Sequence, residues 1–174
     1  VTSPDPLRHL LDAAVEGDDV ALAELVRRTQ PTVWRLCTAL GSAGEESDLV
    51  QDTYLRALKA LPAYRGEAPV QAWLLSIARR VCADHVRRRQ RQRRLIDKLS
   101  RHTTSDSNAP TDSIDDLLAS LDADRREAFV LTQFVGLGYE EAAVVLGCPI
   151  GTVRSRVSRA RAHLLAAVRV AEAR

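Results

Sequence analysis

Between Thr152 and Arg161 the chain places four arginines (Arg154, Arg156, Arg159, Arg161) and three hydroxyls (Thr152, Ser155, Ser158) in ten residues. Forked guanidiniums and short hydroxyls are the groups that bond phosphate oxygens and base edges in a DNA major groove. Ile150, Val153, Val157, Ala160 and Leu164 recur here at steps of three and four. A helix gathers such residues into one buried stripe. Thr152, Ser155, Ser158 and Arg159 then point away from the stripe, with Arg154, Arg156 and Arg161 on its shoulders. A shorter helix is expected over Tyr139–Leu146, broken by Gly147-Cys148-Pro149, with Gly151 and the hydroxyl of Thr152 opening the next. A solvated basic surface needs no preceding helix and no Gly/Pro break at this spacing, whereas a helix-turn-helix needs both.

A second basic stretch lies upstream. Val70, Trp73, Leu74, Ile77, Ala78, Val81, His85 and Val86 keep the helical period, so this is a core helix, with His85 on its inner edge in a structural role. Its C-terminal half carries Arg79, Arg80, Arg87, Arg88, Arg89, Arg91, Arg93 and Arg94, far more than the helix dipole calls for. The turn before it, Pro62 to Pro69, contains Tyr64, Arg65, Gly66 and Glu67, which could hold a base or simply pack.

Stepping toward the N-terminus, a helix over Glu45–Leu61 turns Leu49, Tyr54, Ala57, Leu58 and Leu61 to the core. Asp48, Gln51, Asp52, Leu55, Arg56 and Lys59 form its mixed outer face. Leu7, Leu10, Leu11 and Ala14 mark a first helix ending at Gly17, with Asp18 or Asp19 capping the next. That second helix runs from about Val20 to Leu40, with Val33, Trp34, Leu36 and Cys37 on its apolar face and a kink or break expected at Pro31. Downstream, residues 100–113 are polar and short-chained, as a linker is. A short helix with Ile114, Leu117, Leu118 and Leu121 follows, then one over Asp122–Phe134 with Ala128, Phe129, Leu131 and Phe134 inward. No segment alternates with period two, so the expected class is all-α: two small helical domains joined by a flexible linker. The boundaries read 1–97, 98–112 and 113–174.

Charge sharpens this division. Residues 79–101 hold ten basic and two acidic groups and residues 150–174 six and one, while residues 1–78 and 102–149 are net acidic. Two separate positive surfaces imply two contacts with an anionic partner, most simply one nucleic acid. Cys37, Cys82 and Cys148 are far apart and form no metal set, and no catalytic grouping or phosphate loop is visible. The chain is therefore expected to have no cofactor, no metal and no enzymatic activity. With no signal-peptide pattern and no long apolar run, it is expected to be cytoplasmic, without membrane insertion.

The chain resembles the bacterial extracytoplasmic-function (group IV) sigma factors along essentially all its length. The resemblance rests on Asp48-Leu-Val-Gln-Asp-Thr-Tyr-Leu-Arg-Ala57, Ala72-Trp-Leu-Leu-Ser-Ile-Ala-Arg-Arg-Val-Cys-Ala-Asp-His-Val-Arg-Arg-Arg89, Leu121-Asp-Ala-Asp-Arg-Arg-Glu-Ala-Phe-Val-Leu131, Gly138-Tyr-Glu-Glu-Ala-Ala143 and Gly151-Thr-Val-Arg-Ser-Arg-Val-Ser-Arg-Ala-Arg161. It implies a sigma region 2 domain followed by a region 4 domain. Asp48, Gln51, Asp52, Leu55 and Arg56 would then dock on core RNA polymerase. Tyr64, Arg65, Gly66 and Glu67 would capture a base of the −10 element, and Arg79, Arg80, His85, Arg87 and Arg88 would meet the surrounding strands. Thr152, Arg154, Ser155, Arg156, Ser158, Arg159 and Arg161 would engage the −35 element of promoter DNA. An anti-sigma factor is a further partner that the resemblance implies. The chain departs from many members at Arg80, where they have asparagine, and at Ala142, where they have a bulky aliphatic. A stand-alone helix-turn-helix regulator is the competing reading, but it leaves the second basic helix and the docking face without a use.

Overall fold

The structure is a computed structural model describing residues 5–99 and 114–172. Among them there are helices and turns but no strands. Helices α1 (Arg8–Val15), α2 (Asp19–Leu40), α3 (Glu46–Ala60) and α4 (Val70–Leu99) make the first unit, with a 3₁₀ turn at Leu61–Ala63 between α3 and α4. Helices α5 (Ile114–Ala119), α6 (Ala123–Phe129), α7 (Tyr139–Leu146) and α8 (Ile150–Glu172) make the second, and Val130–Phe134 continues α6 as a π-helical turn. From residue 100 onward the expected linker lies outside the described residues.

Local chemistry accounts for several boundaries. Asp18 caps α2, its Oδ1 accepting from Val20 N (2.9 Å) and Ala21 N (3.0 Å). Asp122 caps α6 through Arg125 N (3.0 Å). Gly147, left-handed at φ +64°, ends α7, and its position between two helices fixes the tight turn. The opening of α8 differs from expectation. It begins at Ile150, and the carbonyl of Pro149 accepts from Thr152 N (2.9 Å) and Val153 N (3.3 Å), so Thr152 lies inside the first turn and does not cap it.

No break occurs at Pro31, and α2 continues through it. The proline is exposed, so the carbonyl it leaves unpaired faces water, while buried Leu25, Thr29, Val33 and Leu36 hold both halves to the core. Trp34, Leu58 and Phe134, expected inside, are 43%, 42% and 37% exposed. For Phe134 the cause is the π-helical turn. Its wider winding shifts the register, so Val130 and Leu131 become fully buried and the residue read as the next core position is carried outward.

The two units are packed together. One apolar cluster runs from Val33, Leu36, Leu40, Ala78 and Cys82 of the first to Leu131, Leu137, Ala142, Val153 and Val157 of the second. Helix α4 lies against α7, and α2 against the π-helical turn. A smaller cluster of Leu7, Leu11, Leu25, Leu61 and Val70 fixes α1 beneath the turn before α4. Cys37 and Cys82 are buried core thiols in mutual contact. Hydrogen bonding to Cys82 draws the Cys37 thiol down, while the same contact and burial push Cys82 up.

Candidate nucleic-acid interface

Helix α8 sits on α6 and α7 through Val153, Val157 and Ala160, all essentially inaccessible. That anchoring turns Arg154, Ser155, Ser158 and Arg159 to solvent as one exposed face. The guanidinium of Arg154 lies 6.0 Å from the Tyr139 ring centroid, which steadies it without using its donors. Ser155 Oγ donates to Thr152 O (2.9 Å), leaving its lone pairs outward. Arg159 has no ion-pair partner among the described residues. Arg156 and Arg161 stand apart from this group. Arg156 is half-buried, paired with Asp124 and in contact with Cys148 Sγ at 3.7 Å, and Arg161 Nη2 donates to Gln133 Oε1 (2.8 Å). Both therefore tie α8 to the α6 segment, a structural use that the spacing alone did not reveal.

The turn before α4 forms an open cup of about 360 Å³ lined by Ala63, Tyr64, Arg65, Glu67, Ala68 and Trp73. Tyr64 is its wall: the ring lies 4.9 Å from Trp73 at 48°, and the hydroxyl donates to Ala68 O. Burial holds the Tyr64 hydroxyl proton more firmly than usual, with Asp5 adding to the effect. Arg65, Gly66 and Glu67 are exposed at the rim. Aromatic walls and a rim of charge suit one unstacked nucleobase.

The basic half of α4 is less free than its composition suggests. Arg79 Nη1 donates to Glu127 Oε2 across the two units (3.0 Å). Arg87 pairs with Asp84 (3.0 Å) and Arg89 with Glu45 (3.0 Å). His85 is buried, with Nε2 2.6 Å from Glu45 Oε2, close enough for an ion pair but not aligned as a hydrogen bond. Arg88 Nη2 approaches His85 Nδ1 at 3.3 Å. Arg80 and Arg88 are exposed and form no ion pair among the described residues. Lysing the inter-unit contact would add Arg79 to them, since it borders a cleft of about 300 Å³ shared with Arg87, Asp124 and Glu127. Glu127 and Asp124 were not singled out in the sequence, because single carboxylates carry no spacing signal.

On α3, Asp48, Gln51, Leu55 and Arg56 are exposed, and Asp52 is half-buried. Arg56 bridges Asp52 (2.9 Å) and Asp84 of α4 (3.0 Å). The two carboxylates hold the Arg56 guanidinium protonated still more firmly, and Arg56, with Arg87, holds the Asp84 carboxyl below its usual range. Leu55, 50% exposed, sits among these charges as an apolar centre with a polar rim, which is how protein interfaces are built. Among the described residues no group of His, Cys, Asp and Glu could hold a metal ion, and no helix is long and apolar enough to cross a membrane.

Comparison with known proteins agrees with this geometry. The profile "Sigma-70 region 2" matches residues 25–92, and "Sigma-70, region 4" matches residues 111–164. The chain is 42% identical over 163 residues to the "ECF RNA polymerase sigma factor SigC" of Mycobacterium tuberculosis, covering 88% of this chain and 86% of the relative. The solved structure of CnrH in complex with the cytosolic domain of CnrY superposes with a TM-score of 0.75 at 32% identity, covering 94% of this chain and 97% of that one. The sigma factor RpoE of Bartonella quintana, solved with the anti-sigma factor NepR, gives 0.66 at 32% identity, covering 86% and 97%. Two helical units in this order, one presenting a helix-turn-helix and one a basic helix beside an aromatic cup, place the chain in the extracytoplasmic-function group of the sigma-70 family of RNA polymerase sigma factors.

Proposed function

We propose that the chain binds core RNA polymerase and directs it to particular promoters, reading two elements with its two units. The observation that carries this is the exposed α8 face of Arg154, Ser155, Ser158 and Arg159 in the same chain as the aromatic cup and the arginines of α4. Helix α8 reads the −35 element in the major groove. Tyr64, Arg65, Gly66 and Glu67 hold a base of the −10 element, and Arg80, Arg87, Arg88 and, once released, Arg79 grip the flanking backbone. Asp48, Gln51, Asp52, Leu55 and Arg56 dock on the polymerase. Unstacking a base costs a few kcal/mol, which stacking in the cup and phosphate contacts offset, so melting needs no nucleotide hydrolysis by this chain.

Closure of the units bears on how this works. A compact chain of this length has a radius of gyration of about 16 Å. Elements centred roughly 25 base pairs apart lie about 85 Å apart along the duplex. The units must separate to hold both, and the polymerase supplies the surface that keeps them apart. A protein that covers the closed form would act as an inhibitor. An anti-sigma factor is the corresponding partner, because the Bartonella RpoE is solved in complex with one and CnrH is solved bound to the cytosolic domain of CnrY. The working compartment is the cytoplasm, where polymerase and promoter meet, and the role is that of an initiation factor and not an enzyme.

Mixing the purified chain with core polymerase tests the reading. Co-elution and promoter-dependent transcripts are expected. Tight, specific duplex binding by the chain alone, with no association with polymerase, would favour a stand-alone regulator.

A further inference from the structure

The match to region 2 begins at residue 25, yet residues that precede it support the cup. Between the 3₁₀ turn and Val70 the backbone forms no regular structure, and Tyr64 N to Leu61 O (3.1 Å) is the turn's own bond. Its shape comes instead from α1. Asp5 accepts through Oδ2 from Val70 N (2.6 Å) and through Oδ1 from Leu7 N (3.0 Å), so one carboxylate fastens the start of α1 to the start of α4. Negative charge there also suits the N-terminal end of the α4 dipole. One turn on, Arg8 is gripped by both oxygens of Asp12 (2.8 and 3.0 Å). Its guanidinium carbon lies 5.5 Å from the Tyr64 ring centroid, on the wall of the cup. The same guanidinium fills the place a side chain on Gly66 would take: a methyl group there would overlap Arg8 Nη1, and φ at Gly66 is +77°. Beneath, Leu7 and Leu11 pack with Leu61 and Val70, and Tyr64 and Trp73 lie against that cluster.

Both aromatic walls of the cup therefore lean on α1, Tyr64 through Arg8 and Trp73 through the leucines, and the backbone between them is held at Gly66 by the same guanidinium and at Val70 by Asp5. We propose that Asp5 and Arg8 are positioning residues for the nucleobase pocket, fixing Tyr64 and the 66–70 backbone in place so that one unstacked base enters and is discriminated. Neither lines the cup, so each acts through the residues it holds. The inference rests on the reading of the cup as a base pocket given above, and its test separates the two.

The test uses the full chain and fluorescence anisotropy with thymidine dodecamers whose central position is dT, dA, dC, dG or abasic. One stacked base is worth about 5- to 150-fold in affinity over the abasic oligomer. Arg8→Ala and Asp5→Ala are expected to reduce the ratio of best base to abasic at least about threefold, with abasic affinity unchanged. Asp12→Ala, which frees Arg8 without touching the turn, should do the same in lesser degree, and Arg8→Lys should restore part of the ratio. An unchanged ratio in both Arg8→Ala and Asp5→Ala, while Tyr64→Ala abolishes it, overturns the role of α1 and leaves the pocket standing. A uniform loss on all five oligomers with a lowered melting temperature also overturns it, because that is a fold effect. If Tyr64→Ala itself leaves the ratio intact, the pocket reading falls and this inference with it.

Discussion

Arg79 is held half-buried against Glu127, away from a DNA phosphate, so Glu127→Gln should release it for DNA. The pair spans the two units at 3.0 Å, with side chains 23% and 18% exposed. Exposed pairs contribute about 0–1 kcal/mol, and removing one partner of a fully buried pair costs about 3–5 kcal/mol. A pair opening onto a solvent-filled cleft lies between, at about 1–2 kcal/mol after screening. That corresponds to roughly a 5- to 30-fold weaker hold between the units at this point. Freed, the guanidinium adds one phosphate contact. The affinity of the full chain for a single-stranded oligomer should rise within that range at low salt, and the slope of log K against log salt should steepen by about 0.7. Fluorescence anisotropy at several salt concentrations reads both quantities. The double variant Arg79→Ala/Glu127→Gln should show no gain over Arg79→Ala alone. A gain that persists without Arg79, or no gain with it, refutes the shared use of this arginine.

Four further outcomes follow from the same structure. Arg159→Ala should lower binding to matched −35 duplexes by about 1–3 kcal/mol while leaving association with core polymerase intact, as gel-shift and co-elution assays would show. Asp52→Lys should weaken holoenzyme assembly and spare duplex binding by α8; normal assembly in a pull-down would count against the docking face. Leu131→Ala, at a fully buried position joining the units, should cost about 2–5 kcal/mol in denaturant unfolding, and a cost below 1 kcal/mol would contradict its place in the shared core. The Asp84 carboxyl is depressed by Arg56 and Arg87, so its contribution to stability is present above the ordinary value of 3.8 and is lost as pH falls through the lower folded value. Its carboxyl NMR titration midpoint should move up in Arg56→Ala.

Much of this was legible in the sequence because helices announce themselves by period. The stripe of Val153, Val157 and Ala160, the break at Gly147 and the inner face of α4 all appear where the spacing puts them. Errors fall where a local rule met tertiary packing. Of the kink or break expected at Pro31, the break does not occur because core contacts on both sides hold α2 together, and Phe134 is misplaced because a π-helical turn has no sequence period of its own. Pairings between distant charges were invisible for a different reason. Arg79 with Glu127 and Arg156 with Asp124 are set by the tertiary fold, as is the bond of Arg161 to Gln133, so three arginines read as DNA contacts are engaged within the protein. Nor could periodicity show that the two units share one apolar cluster, since a helix with a buried face looks the same whichever neighbour covers it.

The most direct measurement is run-off transcription with purified core polymerase, the chain and a library of genomic fragments. Transcripts starting at discrete sites only when the chain is present, and lost in the triple variant Arg154→Ala/Ser155→Ala/Arg159→Ala for promoters with a matched −35 element, are the expected result. The same transcripts with and without the chain, on every fragment, would contradict the account.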